Sequence, residues 1–395
     1  MTRSLSVGVK LIAIAAVLGW LCLGQPARAQ WQISGPDGKS SLKLGFLGQG
    51  QAEFVEVGEA PKVGEFPTAG YLAPDGLDVS RNLFLRRFRI IGGGNLTDKL
   101  SFFFETDSPN LGKGSTKVTT KVINGNTVEN SVENSKDAGY IYLQDFFVTY
   151  TFRDEFKVDG GMMLTPNSHN SETSAAALLP IDYGPLSFKE SDPTLSRVGR
   201  DYGVQLRGII AKHVEYRAGV YQGMRGVNST EPFRYIGRVV IHLFEPETGF
   251  FYTGTSLGTK KILALGGSVD MQDDYKSYAG DLFLDLPFSN GDGLTLQGDY
   301  IWFDGDKIFP SLVTQNDWLA EAGYYNKKTR LGPFAQVAVQ DFTDSNGKDE
   351  NRWQGGLAYW GNGHKFNLKA GYTYLAQSQA RHRNQVVVQC QVFQF

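Results

Sequence analysis

The sequence predicts an all-β protein, a 16-stranded antiparallel transmembrane β-barrel with short periplasmic turns and a long third extracellular loop. Three observations predict it. The chain stops on Val392, Phe393, Gln394 and Phe395. Walking back from there, segments of about ten residues alternate apolar with polar, as membrane barrels do. The connections between those segments are by turns short and long. A bilayer gives no water to backbone N–H and C=O groups, so a chain without long apolar runs can cross it only as a closed sheet.

The first residues read as an export address. Arg3 and Lys10 form a charged start, Leu11 to Leu23 an apolar stretch, and Ala27-Arg28-Ala29 a small-x-small cleavage site. The apolar stretch is shorter than the roughly 20 residues of a spanning helix. Residues 1–29 are therefore expected to be a cleaved signal peptide, and 30–395 the barrel, in the outer membrane of a diderm bacterium. Cys22 lacks the small neighbours of a lipoprotein site, so no lipid anchor is expected. The leader would take Arg3, Lys10 and Arg28 with it, leaving 36 of 39 basic residues against 41 acidic ones, a balance that excludes nucleic acid as partner. Cys390 would then be alone, so an intrachain disulfide is excluded. A mean hydropathy of −0.27 rules out a helical membrane protein, whereas 18 Tyr, 26 Phe, 6 Trp and 47 Gly suit aromatic girdles and tight turns.

In chain order the segments are 41–55, 83–93, 99–107, 141–153, 156–164, 201–211, 214–222, 233–244, 261–271, 276–287, 293–304, 317–327, 330–342, 351–361, 364–375 and 385–395. An even count fits a single-chain barrel. Short links at Gly94 to Asp98, Asp154-Glu155, Lys212-His213, Ser289 to Asp292, Lys328-Thr329 and Asn362-Gly363 take every second gap. The intervening stretches, 56–82, 108–140, 165–200, 223–232, 305–316, 343–350 and 376–384, are mostly longer and more polar. Two connections fit badly: 245–260 is long where a turn is due, and 272–275 is short where a loop is due.

A period of two puts alternate residues on opposite faces of a strand. In 293–304, Leu294, Leu296, Gly298, Tyr300 and Trp302 would face lipid while Thr295, Gln297 and Asp299 face the lumen. In 364–375, Phe366, Leu368, Ala370, Tyr372 and Tyr374 oppose Lys365, Asn367, Lys369 and Thr373. An Arg or Lys against lipid at mid-depth costs about 2 to 4 kcal/mol, so strand charges must point inward. The last strand is irregular, because Gln389 and Gln391 share parity with Phe393 and Phe395; a lipid face weakened there would suit packing against a neighbouring subunit.

The parity gives a lumenal list. Its basic members are Lys43, Arg87, Arg89, Lys157, Arg207, Arg217, Arg234, Arg238, Arg352, Lys365 and Lys369; its acidic members are Glu53, Glu105, Asp145, Asp159, Glu215, Asp270, Asp281, Asp285, Asp299 and Glu321. Arginines concentrate between 87 and 238, and carboxylates between 270 and 321. Consecutive strands are neighbours, so an arginine-rich wall would face a later acidic arc, and local charge of one sign would steer anions. The bland reading pairs these charges across strands, Arg217 with Glu215 and Glu105 for instance. The expected solute path carries Arg87, Arg89, Arg207, Arg217, Arg234, Arg238, Glu105, Asp281, Asp299 and Lys369.

Loop 165–200 holds Pro166, Pro180, Pro185 and Pro193 and an apolar patch, Ala175-Ala176-Ala177-Leu178-Leu179. A loop this long is functional or disordered, and its apolar content argues against disorder. Packed on the inner wall, it would constrict the pore. Its charges, Glu172, Asp182, Glu190 and Asp192 against Lys189, Arg197 and Arg200, declare no sign of selectivity.

At Leu85-Arg86-Arg87-Phe88-Arg89-Ile90, then Leu100-Ser101-Phe102-Phe103-Phe104-Glu105, the chain resembles the phosphate-selective porin O and P family. The resemblance continues through Leu143 to Tyr150, Gly160-Gly161-Met162-Met163 and Gly199 to Gly208. It implies a sixteen-stranded outer-membrane channel, typically a homotrimer, whose third loop narrows the pore. It also places Arg87, Arg89, Arg207 and Arg217 on an anion path. The carboxylates on the same face set this chain apart from the family's phosphate-specific members.

No enzyme is expected. His169, His213, His242, His364 and His382 belong to no nucleophile, metal or general-base pattern. His169-Asn170-Ser171 reads as loop surface. Asp341, Asp344, Asn346, Gly347 and Asp349 depart from calcium-loop spacing, and Gly92-Gly93-Gly94 reads as a turn at a strand end rather than a phosphate cradle, since no helix follows. No metal or cofactor is expected. Outer-membrane lipid, small polar or phosphate-like anionic solutes and further copies of the chain are the expected partners. The alternative is a barrel that sheathes or anchors a partner protein such as an electron-transfer component.

Overall fold

The computed structural model describes residues 31–36, 38–58, 77–123, 127–137, 139–191, 194, 197–343, 349–378 and 382–395. The leader with Cys22, residues Asp192 and Pro193 of the third loop, and Asp344 to Gly347 of the acidic turn lie outside them.

Sixteen strands close into one antiparallel barrel. They are β1 Ser41–Gly58, β2 Leu77–Asn95, β3 Leu100–Asp107, β4 Tyr142–Arg153, β5 Phe156–Leu164, β6 Arg200–Ile210, β7 Val214–Tyr221 and β8 Arg234–His242, followed by β9 Ile262–Gln272, β10 Tyr275–Pro287, β11 Gly293–Asp304, β12 Gln315–Tyr325, β13 Leu331–Phe342, β14 Glu350–Tyr359, β15 Phe366–Gln377 and β16 Arg383–Gln394. Each pairs with the strand before and after it, and β16 closes on β1 with Ala52 opposite Val388. Every segment expected from the alternation is a strand. Two pairings were not foreseen: a short strand Trp31–Ser34 pairs with β1, and Gly114–Ile123 and Thr127–Lys136 form a separate two-stranded hairpin within the connection between β3 and β4.

The polarity is inverted relative to a soluble protein. Leu83, Tyr202, Val204, Tyr235, Val239 and Tyr372 stand exposed on the outer face, while Gln49, Gln205, Asp285, Gln297, Asn367 and Gln389 are buried inside. That is how lipid and lumen sort an alternating strand. Thr295, Gln297, Asp299, Asn367, Lys369 and Thr373 all sit on the inner face, as their parity requires.

Three expectations need correction. Gly92 to Gly94 are not a turn but part of β2. A Cβ on Gly94 would fall 1.8 Å from the carbonyl oxygen of Ser41, so glycine is what lets β1 and β2 approach there. On β16, Val386 and Val392 face outward while Gln389 and Gln391 are fully buried, and Phe393 and Phe395 pack inward against Leu47 and Ile91. Subunit packing is therefore not needed to explain the glutamines: they form a ladder with β1, Gln49 Nε2 donating to Gln391 (2.8 Å) and Gln51 Nε2 to Gln389 (2.7 Å). Finally, Arg217 pairs with Glu215 on its own strand, whereas Glu105 pairs with Arg89.

The register breaks once between β1 and β2. Gln49 pairs with Arg87 and the next residue, Gly50, with Leu85, which leaves Arg86 as an extra residue in a β-bulge. Leu85 and Phe88 therefore both face out, and Arg86 and Arg87 both face in. Strict alternation would have sent Arg86 into lipid, where it is most costly.

Candidate functional site

Loop 165–199 folds into the barrel, because it carries apolar side chains to an inner wall that has few of its own. Ala175 and Ala176 pack on Leu47 and Ile91; Leu179 and Ile181 pack on Phe334, Ala358 and Trp360; Leu186 packs on Leu319 and Ala338. Backbone groups of the loop find partners around the ring. Gln49 donates to the Ala175 carbonyl (3.1 Å), Gln391 to that of Ala176 (2.8 Å), and Lys369 Nζ to those of Leu178 (2.6 Å) and Pro180 (2.7 Å). On the opposite wall Asp299 accepts from the Asn170 N–H (3.0 Å). A short helix, His169–Glu172, capped by Ser168, carries the loop past β7 and β8. There Glu172 meets Arg217 Nη1 at 2.6 Å and Arg238 Nε at 3.0 Å.

The long connection 243–261, from the short-turn end, also enters the lumen. The Tyr252 N–H donates to the Glu172 carbonyl (2.9 Å), the Ser174 N–H to that of Tyr252 (2.9 Å) and the Gly254 N–H to that of Ala177 (3.0 Å), so loop and turn form a strip of parallel pairing. A Cβ on Gly254 would meet the Ala177 carbonyl oxygen at 2.9 Å, which is why this contact takes a glycine. Phe250 stacks on Phe147 (4.2 Å), and Phe251 meets Phe103 (5.4 Å). The connection that fitted the strand pattern badly is thus the second half of an internal plug.

His169 joins the two halves. It is buried, not on the surface, stacked between Tyr252 (5.0 Å) and Phe283 (3.9 Å), with Nε2 2.8 Å from Glu247 of the turn. Burial opposes its charge, but Glu247 outweighs burial, and its pKa is raised. A raised histidine stabilises the contact fully below its ordinary value near 6.5 and loses that contribution as pH rises through the raised value. Channel current in planar bilayers is therefore expected to become noisier as pH rises through that window, and His169→Gln is expected to remove the dependence. A noise level independent of pH in the parent protein would refute the latch.

The plug leaves open space along the wall that runs from β13 through β16 to β1–β4. At the long-loop end a vestibule of about 560 Å³ is lined, among the described residues, by Arg86, Arg87, Arg89, Lys113, Lys189, Arg197, Arg200 and Arg352 against Glu53, Asp107 and Asp182. Burial would push the Asp182 carboxyl up, but Arg86 and Arg87 hold it well below the usual carboxylate range. Asp182 so ties the loop to the bulge, 2.7 Å from Arg86 Nε and 2.5 Å from Arg87 Nη2. Past Arg89, Tyr183 and Arg200 the vestibule adjoins a chamber of about 90 Å³ lined by Phe103, Phe251, Phe393 and Phe395. A separate cavity of about 630 Å³ at the short-turn end is lined by Lys157, Arg207, Glu215 and Glu247.

The residues expected along the solute path divide accordingly. Arg87 and Arg89 line the vestibule, Glu105 the chamber and Arg207 the cavity at the short-turn end. Arg217, Arg238, Asp299 and Lys369 instead hold the loop, and Asp281 holds Arg238 (2.6 Å). Arg234 is buried against Asp270 (2.8 Å). For these six the expectation is corrected: parity sends them inward, but the folded-in loop occupies the space they would have lined. Nor does an arginine wall confront a distant acidic arc, since Arg234 and Arg238 on β8 bind Asp270 on β9 and Asp281 on β10. Sequence reasoning missed Arg86, Tyr183 and the 243–261 turn. The adjacent arginines flanked by outward Leu85 and Phe88 were the available signal for the first.

Residues 69–242 match the family model described as phosphate-selective porin O and P. No curated protein sequence matches the chain. Among solved structures, an anion-selective porin from Comamonas acidovorans is similar in fold, with 11% identity, a TM-score of 0.57 and coverage of 90% of this chain and 100% of that one. The outer-membrane channel DcaP of Acinetobacter baumannii aligns at 10% identity and TM-score 0.52 over 92% of this chain and 99% of its own. A loop L8 deletion mutant of the Vibrio cholerae outer-membrane protein OmpT aligns at 11% and 0.51 over 89% and 99%. At such identities the likeness speaks for the barrel alone. The family match spans residues 69–242, which contain the Leu85 to Ile90 segment, and over that stretch the chain is similar to the phosphate-selective porins O and P; the closed sixteen-strand barrel around it is the fold of outer-membrane porins.

Proposed function

We propose that the protein is a passive channel that admits small polar and anionic solutes, phosphate-like anions included, through the arginine-lined vestibule. The observation that carries this reading is the excess of cations over carboxylates on the vestibule wall. In a narrow site with low-dielectric walls, local charge focuses the field and raises the density of counter-ions. The long loops, and the vestibule with them, face the exterior; the short turns face the periplasm. Residues 1–29 are removed on export, loop 165–200 constricts the pore, and the working unit is a homotrimer, which cross-linking in detergent would test.

The sheath reading is not favoured, because the loop and the turn fill the bore that a threaded partner would need. The test is single-channel recording in a potassium chloride gradient. The reversal potential is expected on the anion-selective side, and Arg87→Ala with Arg89→Ala is expected to move it toward the cation side. An unmoved potential would sink the role given to these arginines.

A further inference from the structure

We propose that the conduit takes aromatic monocarboxylates, the ring seated in the phenylalanine chamber and the carboxylate held at Arg89. This rests on the anion-channel reading above and names the solute class it favours.

The chamber has the wrong walls for an inorganic anion. Leu47, Ile91, Ala175 and Ala176 line it together with four phenylalanines, and its charged groups, Arg89, Arg200 and Glu105, include the two arginines at the boundary with the vestibule. A hydrated phosphate entering it would exchange water for apolar surface without compensating hydrogen bonds. An aromatic ring would extend a cluster already present. Phe103 lies 5.4 Å from Phe251 and 6.0 Å, edge on, from Phe395, within the separations that aromatic pairs favour. Apolar cavities of about 150 Å³ bind benzene. A chamber of about 90 Å³ would hold one ring where it adjoins the vestibule.

The carboxylate has a place at that boundary. Arg89 is 5% exposed, and its Nη1 and Nη2 are taken by Glu105 (2.5 Å) and Asp107 (3.0 Å). Its Nε is buried without a hydrogen-bond acceptor. A charge-assisted bond from that N–H to a solute oxygen would satisfy it. One solute, a ring bearing a carboxyl group, would thereby meet both features, since Arg89 and the phenylalanines line the same chamber.

The experiment is titration of the chloride current in planar bilayers with benzoate, acetate or inorganic phosphate. Benzoate is expected to reduce the current at concentrations at least about tenfold lower than acetate or phosphate, the factor that about 1.4 kcal/mol of ring contact supplies. Phe251→Ala and, separately, Phe103→Leu are expected to weaken the benzoate effect several-fold and leave acetate as it was; the current itself reports that each variant is folded and inserted. Benzoate no more effective than acetate on a protein that carries anion current would overturn the proposal and leave the channel reading standing. Absence of anion-selective current would overturn both.

Discussion

Replacing residues 174–186 by a short Gly-Ser linker is expected to raise single-channel conductance several-fold. This segment contributes Ala175, Ala176, Leu179, Ile181 and Leu186 to the contacts that carry the loop across the bore. Its removal also frees Lys369, Gln49 and Gln391 from loop carbonyls and Arg87 from Asp182. The barrel itself should persist, because its ladders are between strands and closure runs through β16 and β1. Anion selectivity is expected to fall as conductance rises, since a wider bore screens the wall charges over a Debye length of about 8 to 10 Å. Unchanged conductance would mean that solutes bypass the loop.

Most of the barrel is legible in the sequence because lipid and water impose opposite demands on alternate residues. Leu294 to Trp302 on one face and Thr295 to Asp299 on the other can be sorted without knowing a single contact. The parity rule fails where the chain departs from period two. At the Arg86 bulge, one inserted residue reverses the facing of what precedes it, and only the cost of an arginine in lipid hints at the slip. At Phe393 and Phe395 the rule misleads for another reason: aromatic residues serve both as lipid anchors and as packing inside a plugged lumen. The site was less legible than the barrel. Whether an inward arginine lines space or clamps the loop depends on partners far along the chain, as Arg238 with Glu172 and Lys369 with Pro180 illustrate. The apolar patch at 175–179 gave the loop away, and the misfit at 245–260 marked the turn, but nothing in either stretch announced that they pair.

Glu172→Ala is expected to undock the loop while leaving the barrel closed. The carboxylate is fully buried between Arg217 and Arg238, and it ends the helix that positions His169 against Glu247. Removing one partner from such a network leaves buried guanidinium groups short of counter-charge, typically at a cost of about 3 to 5 kcal/mol. Glu215 and Asp281 remain beside the arginines and soften that cost. The loss falls on docking because Arg217 and Arg238 keep their places in the β7–β8 ladder, where they pair with one another. A cost of that size shifts the docked-to-free ratio by about two to four orders of magnitude, which would appear as large, slow fluctuations of the current. Glu172→Gln, able to accept from the arginines but carrying no charge, should fall between the parent and the alanine variant. Steady current at the parent level from Glu172→Ala would show that the apolar contacts of Ala175, Leu179 and Leu186 hold the loop without it.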